Sequence, residues 1–528
     1  MIVQLRKPVF VGIVALAPLV GLVGGLPAAA QAPKVHLAEA TIADIHAAFR
    51  GGDLTCRQLV QLYLERIQAY DKQGPALNAL IAVNPKALEA AEALDTKFRA
   101  SGLVGPLHCI PAILKDNYNT ADMATTGGSA PLAGSIPAAD AFTVKRLRAA
   151  GAIVLAKANM HELALAGTTV SSLGGQTRNP YSLDRTPGGS SGGTAAAIAV
   201  NIGMIGFGSD TVNSIRSPAS ANSLVGLRPT RGLVSREGVI PVSWTQDAVG
   251  PITRSVADAA AVLTVLTGYD PNDPVTAYGV GHATDYTAFL RPNGLEGVRL
   301  GVVETLFGTQ PIHQPVNVVT RAAIQELRRA GAILVPINVA AIDTDKIVAD
   351  YDVQKYEYRE NLNGYLTTLG PRAPIKTLAD LIATGKPDRT IAGFLKTAQE
   401  IQSPLDQPDY KTRILRGYQL QQLVMALMAD HRLDALVYPH QKRLVVPIGE
   451  GQTDRNGILA SVTGLPAITV PGGFSPSSAA APIGVPVGIE FLGRPWSEAA
   501  LVQIAYAFEQ ATHYRRPPAS APPLPGEP

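Results

Sequence analysis

Residues 185–210 read RTPGGSSGGTAAAIAVNIGMIGFGSD, and the passage changes character twice. A Gly/Ser loop feeds an alanine-rich stretch whose composition predicts a helix over about 192–202. An apolar run at 203–209 follows and reads as a buried strand. Helix and strand in alternation predict an α/β fold built on a sheet core. In such sheets the functional loops lie beyond the carboxyl ends of the strands. The loop that follows this strand, DTVNSIRSPAS at 210–220, carries Ser214.

The same alternation extends outward. HCIPAILKDN (108–117) is a short apolar strand ending in Lys115, Asp116 and Asn117, and DAFTVKRLRAAGAIVLAKANM is a helix running into the strand AIVLA at 152–156. Upstream, TIADIHAAF sets Ile42, Ile45 and Phe49 at helical spacing, and Thr55 with Gln58 forms a capping box for a second helix. A third helix is predicted over about 85–100. From about 262 to 435 the periodicity is mostly helical, with a strand at VRLGVV (298–303). LDALVYP, GLPAITVPGGF and GVPVGIEFLGRP supply three further strands, and SEAALVQIAYAFEQA is the closing helix. No internal repeat and no linker interrupts the pattern, which predicts one large domain over 31–518. The proline-rich end, 519–528, is expected to be a mobile tail.

With 528 residues and 46% hydrophobic composition the chain can bury a large core. Arg6 and Lys7 precede an apolar run to Leu26 and then small residues, the pattern of a signal peptide over 1–30 with a mature start near Gln31. A retained membrane anchor is the alternative. No later segment is both long and apolar enough to span a bilayer. Export to a periplasmic or extracellular setting, with no membrane association after cleavage, is therefore the expectation. The formal charge is +3, and setting Arg6 and Lys7 aside leaves 43 basic against 42 acidic residues. That balance offers no footprint for nucleic acid. Cys56 and Cys109 permit one disulfide but neither a disulfide scaffold nor a cysteine-rich metal site. With no HExxH and no paired CxxC, no metal is indicated.

Several chemistries fall away on motif grounds. GGSSGG suits an anion at a helix N-terminus, yet it lacks the Lys and Ser/Thr that complete a phosphate loop, and GxGxxG is absent. GxSxG is missing as well, against an α/β-hydrolase. His161 in KANMHELA is the only histidine near the motifs, and a lone helical His is usually packing. Ser214 itself stands open between a turn residue and a nucleophile. Left over are Lys115 at a strand end, Ser190 and Ser191 at a helix start, and Ser214. The intervening helix and strand fold the chain back, so Ser190 and Ser214 can lie side by side.

LHCIPAILKDN, TPGGSSGGTAAA, GSDTVNSIRSPASANSLVGLRPT, DAVGPITRSVADAA and GLPAITVPGGF together resemble the amidase signature family of serine hydrolases. The likeness covers roughly 41–518. It implies a single large α/β domain, a mixed central sheet covered by helices on both faces, and a Ser–cisSer–Lys triad that cleaves amides without a cofactor. Matched residue by residue, it makes Ser214 the nucleophile, Ser190 the bridging serine after a cis bond from Gly189, and Lys115 the base. Backbone N–H groups of Thr211, Val212, Asn213 and Ser214 would form the oxyanion hole. Asp210 and Arg216 would brace the loop, the alternative being solvated turn charges. Ser191 would support the lysine network, and Asp116 and Asn117 read as structural.

A lysine of ordinary pKa, about 10.4, is almost wholly charged at pH 7, so burial behind IPAIL must depress it. Two departures from the family stand out. Many members carry Gly-Gly where this chain has Val212-Asn213, and a loop requiring positive φ would have to reshape around Val212. Cys109 replaces a common glycine and is expected to be a buried hydrophobe, with a disulfide or a reactive thiol as alternatives. The resemblance implies an exported amidohydrolase acting on small-molecule or peptide amides, with the peptide-amidase-like branch as the leading guess. The other readings are the glutaminase component of an amidotransferase and a catalytically silent binding protein. DVQKYEYRENLNGYL (352–366) is expected to contribute to the substrate pocket.

Overall fold

A computed structural model describes residues 36–371 and 373–527. The signal peptide expected at 1–30 lies outside the described residues. Eleven strands form one sheet: β1 Leu80–Val83, β2 Pro111–Lys115, β3 Ile153–Ala158, β4 Ile205–Asp210, β5 Val225–Arg228, β6 Ala248–Thr253, β7 Arg299–Val303, β8 Ile333–Ile337, β9 Ala435–Pro439, β10 Ala467–Phe474 and β11 Pro486–Leu492. Their order across the sheet is β1-β3-β2-β4-β6-β5-β10-β11-β9-β7-β8. The sheet is mixed: β3-β2-β4 and β9-β7-β8 run parallel, while β4-β6-β5-β10-β11-β9 alternate.

Strands β2, β3, β4, β6, β9 and β11 are buried at every position. That is the signature of a sheet covered on both faces, and it explains why these strands are continuous apolar runs rather than alternating ones. The helix Gly192–Ala199 is buried along its whole length and crosses β2 and β4 closely. Small residues permit this: a Cβ on Gly206 would meet Thr194 Cγ2 at 2.5 Å, and one on Gly208 would meet Ser191 Oγ at 2.8 Å. The predicted capping box of Thr55 with Gln58 opens the helix Cys56–Tyr70, and the third helix is Ala87–Ser101. Among the described residues no helix is long and apolar enough to cross a membrane.

Two expectations are corrected. Cys56 and Cys109 are paired in a disulfide, with Cα atoms 5.6 Å apart, so Cys109 is buried as half of a cross-link rather than as a free thiol. Cys109 also has φ 60°, a left-handed backbone that suits the glycine common there in the family. The end of the chain is docked rather than mobile. Glu527 forms an ion pair with Arg66 at 2.7 Å, both side chains almost fully buried, Ser520 Oγ donates to Pro180 O, and Ala521 is buried. Proline fixes its own φ beforehand, which lowers the entropy lost on docking such a segment.

Candidate active site

The parallel register of β2 and β4 builds the site. Ala112 pairs with Ile205 and Leu114 with Phe207, so both strands end on the same edge and Lys115 arrives beside Ser209. Lys115 Nζ lies 2.7 Å from Ser190 Oγ, 2.8 Å from Ser209 Oγ and 3.3 Å from Ser209 O. The Gly189–Ser190 peptide is cis, at the predicted bond. Ser191 N donates to Ser214 O at 3.3 Å, which sets the Ser190 and Ser214 segments side by side. Lys115, Ser190 and Ser191 are fully buried, while Ser214 is 6% exposed.

That small exposure is decisive, because it opens onto a cavity of about 590 Å³ lined in part by Ser214, Thr211, Val212 and His161. Among the described residues the Ser214 hydroxyl has no protein hydrogen-bond partner. None of the N–H groups of Thr211, Val212, Asn213 and Ser214 donates to a protein acceptor there either, whereas the next one, on Ile215, is bonded to Asp210 Oδ2 at 3.0 Å. Four consecutive free donors beside a free hydroxyl can receive a developing oxyanion. None of these four residues has positive φ. The loop therefore needs no glycine at 212 or 213, and Val212 is accommodated by packing against a hydrophobic cluster around Ile458 and Leu459.

Burial depresses Lys115 to about 7, against the raising effect of Asp210 and Asp247. At neutral pH a large share of this amine is a free base. Burial also lowers His161 to about 4, helped by Lys115 and Arg455 and opposed by Asp388, so it is a neutral ring; its Nε2 meets Thr390 Oγ1 at 3.0 Å.

The predicted brace is more extensive than an Asp–Arg pair. Arg216 reaches Asp210 at 3.1 Å and Glu490 at 2.6 Å, and Arg228 reaches Asp210 at 2.9 Å, all fully buried. Arg216 also donates to Val212 O and Gly457 O, both at 2.9 Å. Glu490 in turn holds Tyr438 and His440. Burial would raise Asp210, but Arg216 and Arg228 outweigh it and hold this carboxylate far below its usual range. The solvated-turn alternative is excluded by this burial.

Other expectations shift. Ser191 Oγ reaches only Ser209 O, at 3.4 Å, and it is Ser209, oriented by Asn117 Nδ2 at 2.9 Å, that touches the lysine. Ser191 acts at one remove because it sits at the N-cap of the buried helix with its hydroxyl against Gly208 of β4. Asp116 binds the Thr126–Gly128 turn and faces Lys157 at 3.5 Å, a structural role. Asp247, unremarked in the sequence, receives Thr211 Oγ1 at 2.6 Å and the N–H groups of Val242 and Ser243. The helix Gln354–Thr368 gives the cavity only Gln354; its Tyr358 and Tyr365 pack inward. The cavity draws its other walls from 161–176, 388–390 and 448–455.

A large mixed α/β sheet carrying this lysine–serine constellation defines an amide-cleaving hydrolase. A family model described as Amidase matches residues 58–502. The chain is 37% identical to a protein of Arabidopsis thaliana named "probable amidase", over 91% of both chains. It is 34% identical to a glutamyl-tRNA(Gln) amidotransferase component of Moorella thermoacetica, over 88% of this chain and 95% of that one. Among solved structures it superposes on the native peptide amidase of Stenotrophomonas maltophilia with a TM-score of 0.83 and 41% identity, covering 91% of this chain and 98% of that one. The chain belongs to the amidase family.

Proposed function

We propose that this protein is an exported amidase that cleaves carboxamides through a serine acyl-enzyme. The observation that carries this reading is the 2.7 Å contact between a buried, weakly basic Lys115 and Ser190, beside a Ser214 hydroxyl open to the cavity. The free Ser214 hydroxyl turns onto Ser190 as substrate binds; neutral Lys115 then takes the proton of Ser190 as Ser190 takes that of Ser214, and the Ser214 oxygen attacks the amide carbonyl. The negative charge gathers on the carbonyl oxygen, received by the N–H groups of 211–214. Collapse breaks the C–N bond while the relay returns the proton to the leaving amine, and water then hydrolyses the ester. A silent binding protein would not need this constellation intact.

Export is supported by the N-terminal pattern and by the Cys56–Cys109 pair, since disulfides persist in oxidising compartments. The peptide amidase likeness favours a small-molecule or peptide amide as substrate. The amidotransferase relatives favour a second reading, the glutaminase component of such a complex, for which export offers no use. The deciding experiment treats the mature protein with a fluorophosphonate and maps the adduct by mass spectrometry, with Ser214→Ala as control. Stoichiometric label on Ser214 and loss of amide turnover are expected. A folded, active enzyme with no label at Ser214 overturns the assignment.

A further inference from the structure

Arg455 lines the same cavity as Ser214 and, unlike the other unpaired cation there, the solvent-exposed Arg389, is half-buried in its wall. Gln176 donates to the carbonyls of Thr168, Thr169 and Thr177, and Gln452 accepts from Val446 N and donates to Thr453 O. Asp388 is held by the N–H and hydroxyl of Thr390, and Glu450 faces Arg443 at 3.6 Å. The Arg455 guanidinium makes no hydrogen bond and no ion pair within 4.0 Å among the described residues. Its nearest acidic influence is Asp352, whose carboxylate is itself occupied by Gln354.

The position is close to the reacting serines. A Cβ on Gly167 would come within 3.2 Å of Arg455 Nη1, and one on Gly189 would come within 2.8 Å of the Gly167 carbonyl carbon. Gly167 is thus a thin wall between Arg455 and the Gly189–Ser190 bond. A guanidinium offers five donors in a planar fork that matches a carboxylate bidentately, and an uncompensated cation in a confined site favours an incoming anion.

We propose that Arg455 is a carboxylate subsite, so that the preferred substrates carry an acid group in addition to the scissile amide. This rests on the reading of Ser214 as nucleophile in the same cavity. The acid can sit on the acyl side or on the leaving amine, and paired probes separate the two: succinamate against butyramide, and N-benzoylglycine against N-benzoylmethylamine. The expected result is a higher kcat/KM for the acidic member of at least one pair. Arg455→Ala lowers that acid-to-neutral ratio by about 30- to 100-fold, the scale of removing one partner of a buried charge pair. Arg455→Lys retains part of it, which separates lost recognition from lost folding. Calorimetric binding of succinamate and N-benzoylglycine to Ser214→Ala, with and without Arg455→Ala, gives a readout that needs no turnover. Arg455-dependent binding without turnover of any amide in the wild type upholds the subsite and removes the amidase reading. A preference for both neutral members, or a ratio unmoved by Arg455→Ala, overturns the subsite.

Discussion

Lys115 and Lys157 end neighbouring strands and are both fully buried, yet only one is placed to act as a base. Lys157 Nζ is saturated by the carbonyls of Tyr118 and Ala124, the hydroxyl of Thr125, and Asp116 at 3.5 Å, acceptors that all suit an ammonium. Lys115 meets two hydroxyls, which can donate to a neutral amine as readily as accept from a charged one, and a single, longer carbonyl contact to Ser209 O at 3.3 Å. In the proposed mechanism the basic form is the active one, so kcat/KM for a neutral amide should rise tenfold per pH unit below about 7 and level off above it. Lys115→Met should abolish that rise together with all but a trace of turnover. A profile flat from pH 5 to 8 would count against the lysine as base. The sign carries over to stability: between about 7 and the unfolded value near 10.4 the unfolded chain binds the extra proton, so this group's contribution improves as pH rises. The three side chains of the proposed triad could be picked out because each sits in a distinctive local motif. Ser209, Asp247 and Arg455 could not, because their roles come from strand register and from loops that converge only in three dimensions.

At the level of elements, the strand-to-loop passage from β4 into Ser214 is held by charge rather than by glycine. Arg216 is the hub, joining Asp210 at the end of β4, Glu490 on β11, and the carbonyl of Val212 inside the loop. Arg216→Met keeps much of the volume but removes the cation shared by Asp210 and Glu490 and the only donor to Gly457 O among the described residues, while Glu490 keeps Tyr438 and His440 and Val212 O keeps Ser461 Oγ; breaking this buried network should cost about 3–5 kcal/mol. The loop N–H groups should also lose their aim, lowering kcat by roughly 10-fold or more with a smaller change in KM. The guanidinium-unfolding midpoint and the kcat/KM split measure the two effects separately; a midpoint equal to wild type would show that the network does not hold the loop. Seven strands, among them most of the fully buried ones, were readable as apolar runs. Leu80–Val83, Val225–Arg228, Ala248–Thr253 and Ile333–Ile337 were not legible: the first two are only four residues long and β5 ends in the charged Arg228, β6 is interrupted by Gly250 and Pro251, and β8 is a half-exposed edge strand carrying Pro336. The strand character of the first two is supplied by neighbours: β1 by its antiparallel edge with β3, β5 by its place between β6 and β10.

At the scale of the described molecule, the segment 520–527 packs back on the helix Cys56–Tyr70. Arg66, on the helix Cys56–Tyr70, donates to the carbonyls of Asn201, Val200 and Ala521 and to Glu527, so one buried guanidinium ties the N-terminal helices, the end of the Gly192–Ala199 helix and the tail together. Composition pointed the other way, since a proline-rich segment cannot make its own core; it folds here because an otherwise uncompensated cation and a formed surface await it. Two variants separate the cation from the covering. Deleting 519–528 removes the carboxylate but also admits water to Arg66, so the cost should be modest, about 1–3 kcal/mol. Glu527→Gln in the full chain keeps the cover and removes only the charge, leaving Arg66 dry and uncompensated, and should cost as much or more. Chemical denaturation of the two proteins beside wild type gives the order directly. If the deletion costs nothing, the tail is a passive covering and Arg66 is satisfied by its carbonyls alone; if Glu527→Gln is the milder change, it is the apolar contact of Ala521 and Leu524, not the ion pair, that holds the end in place.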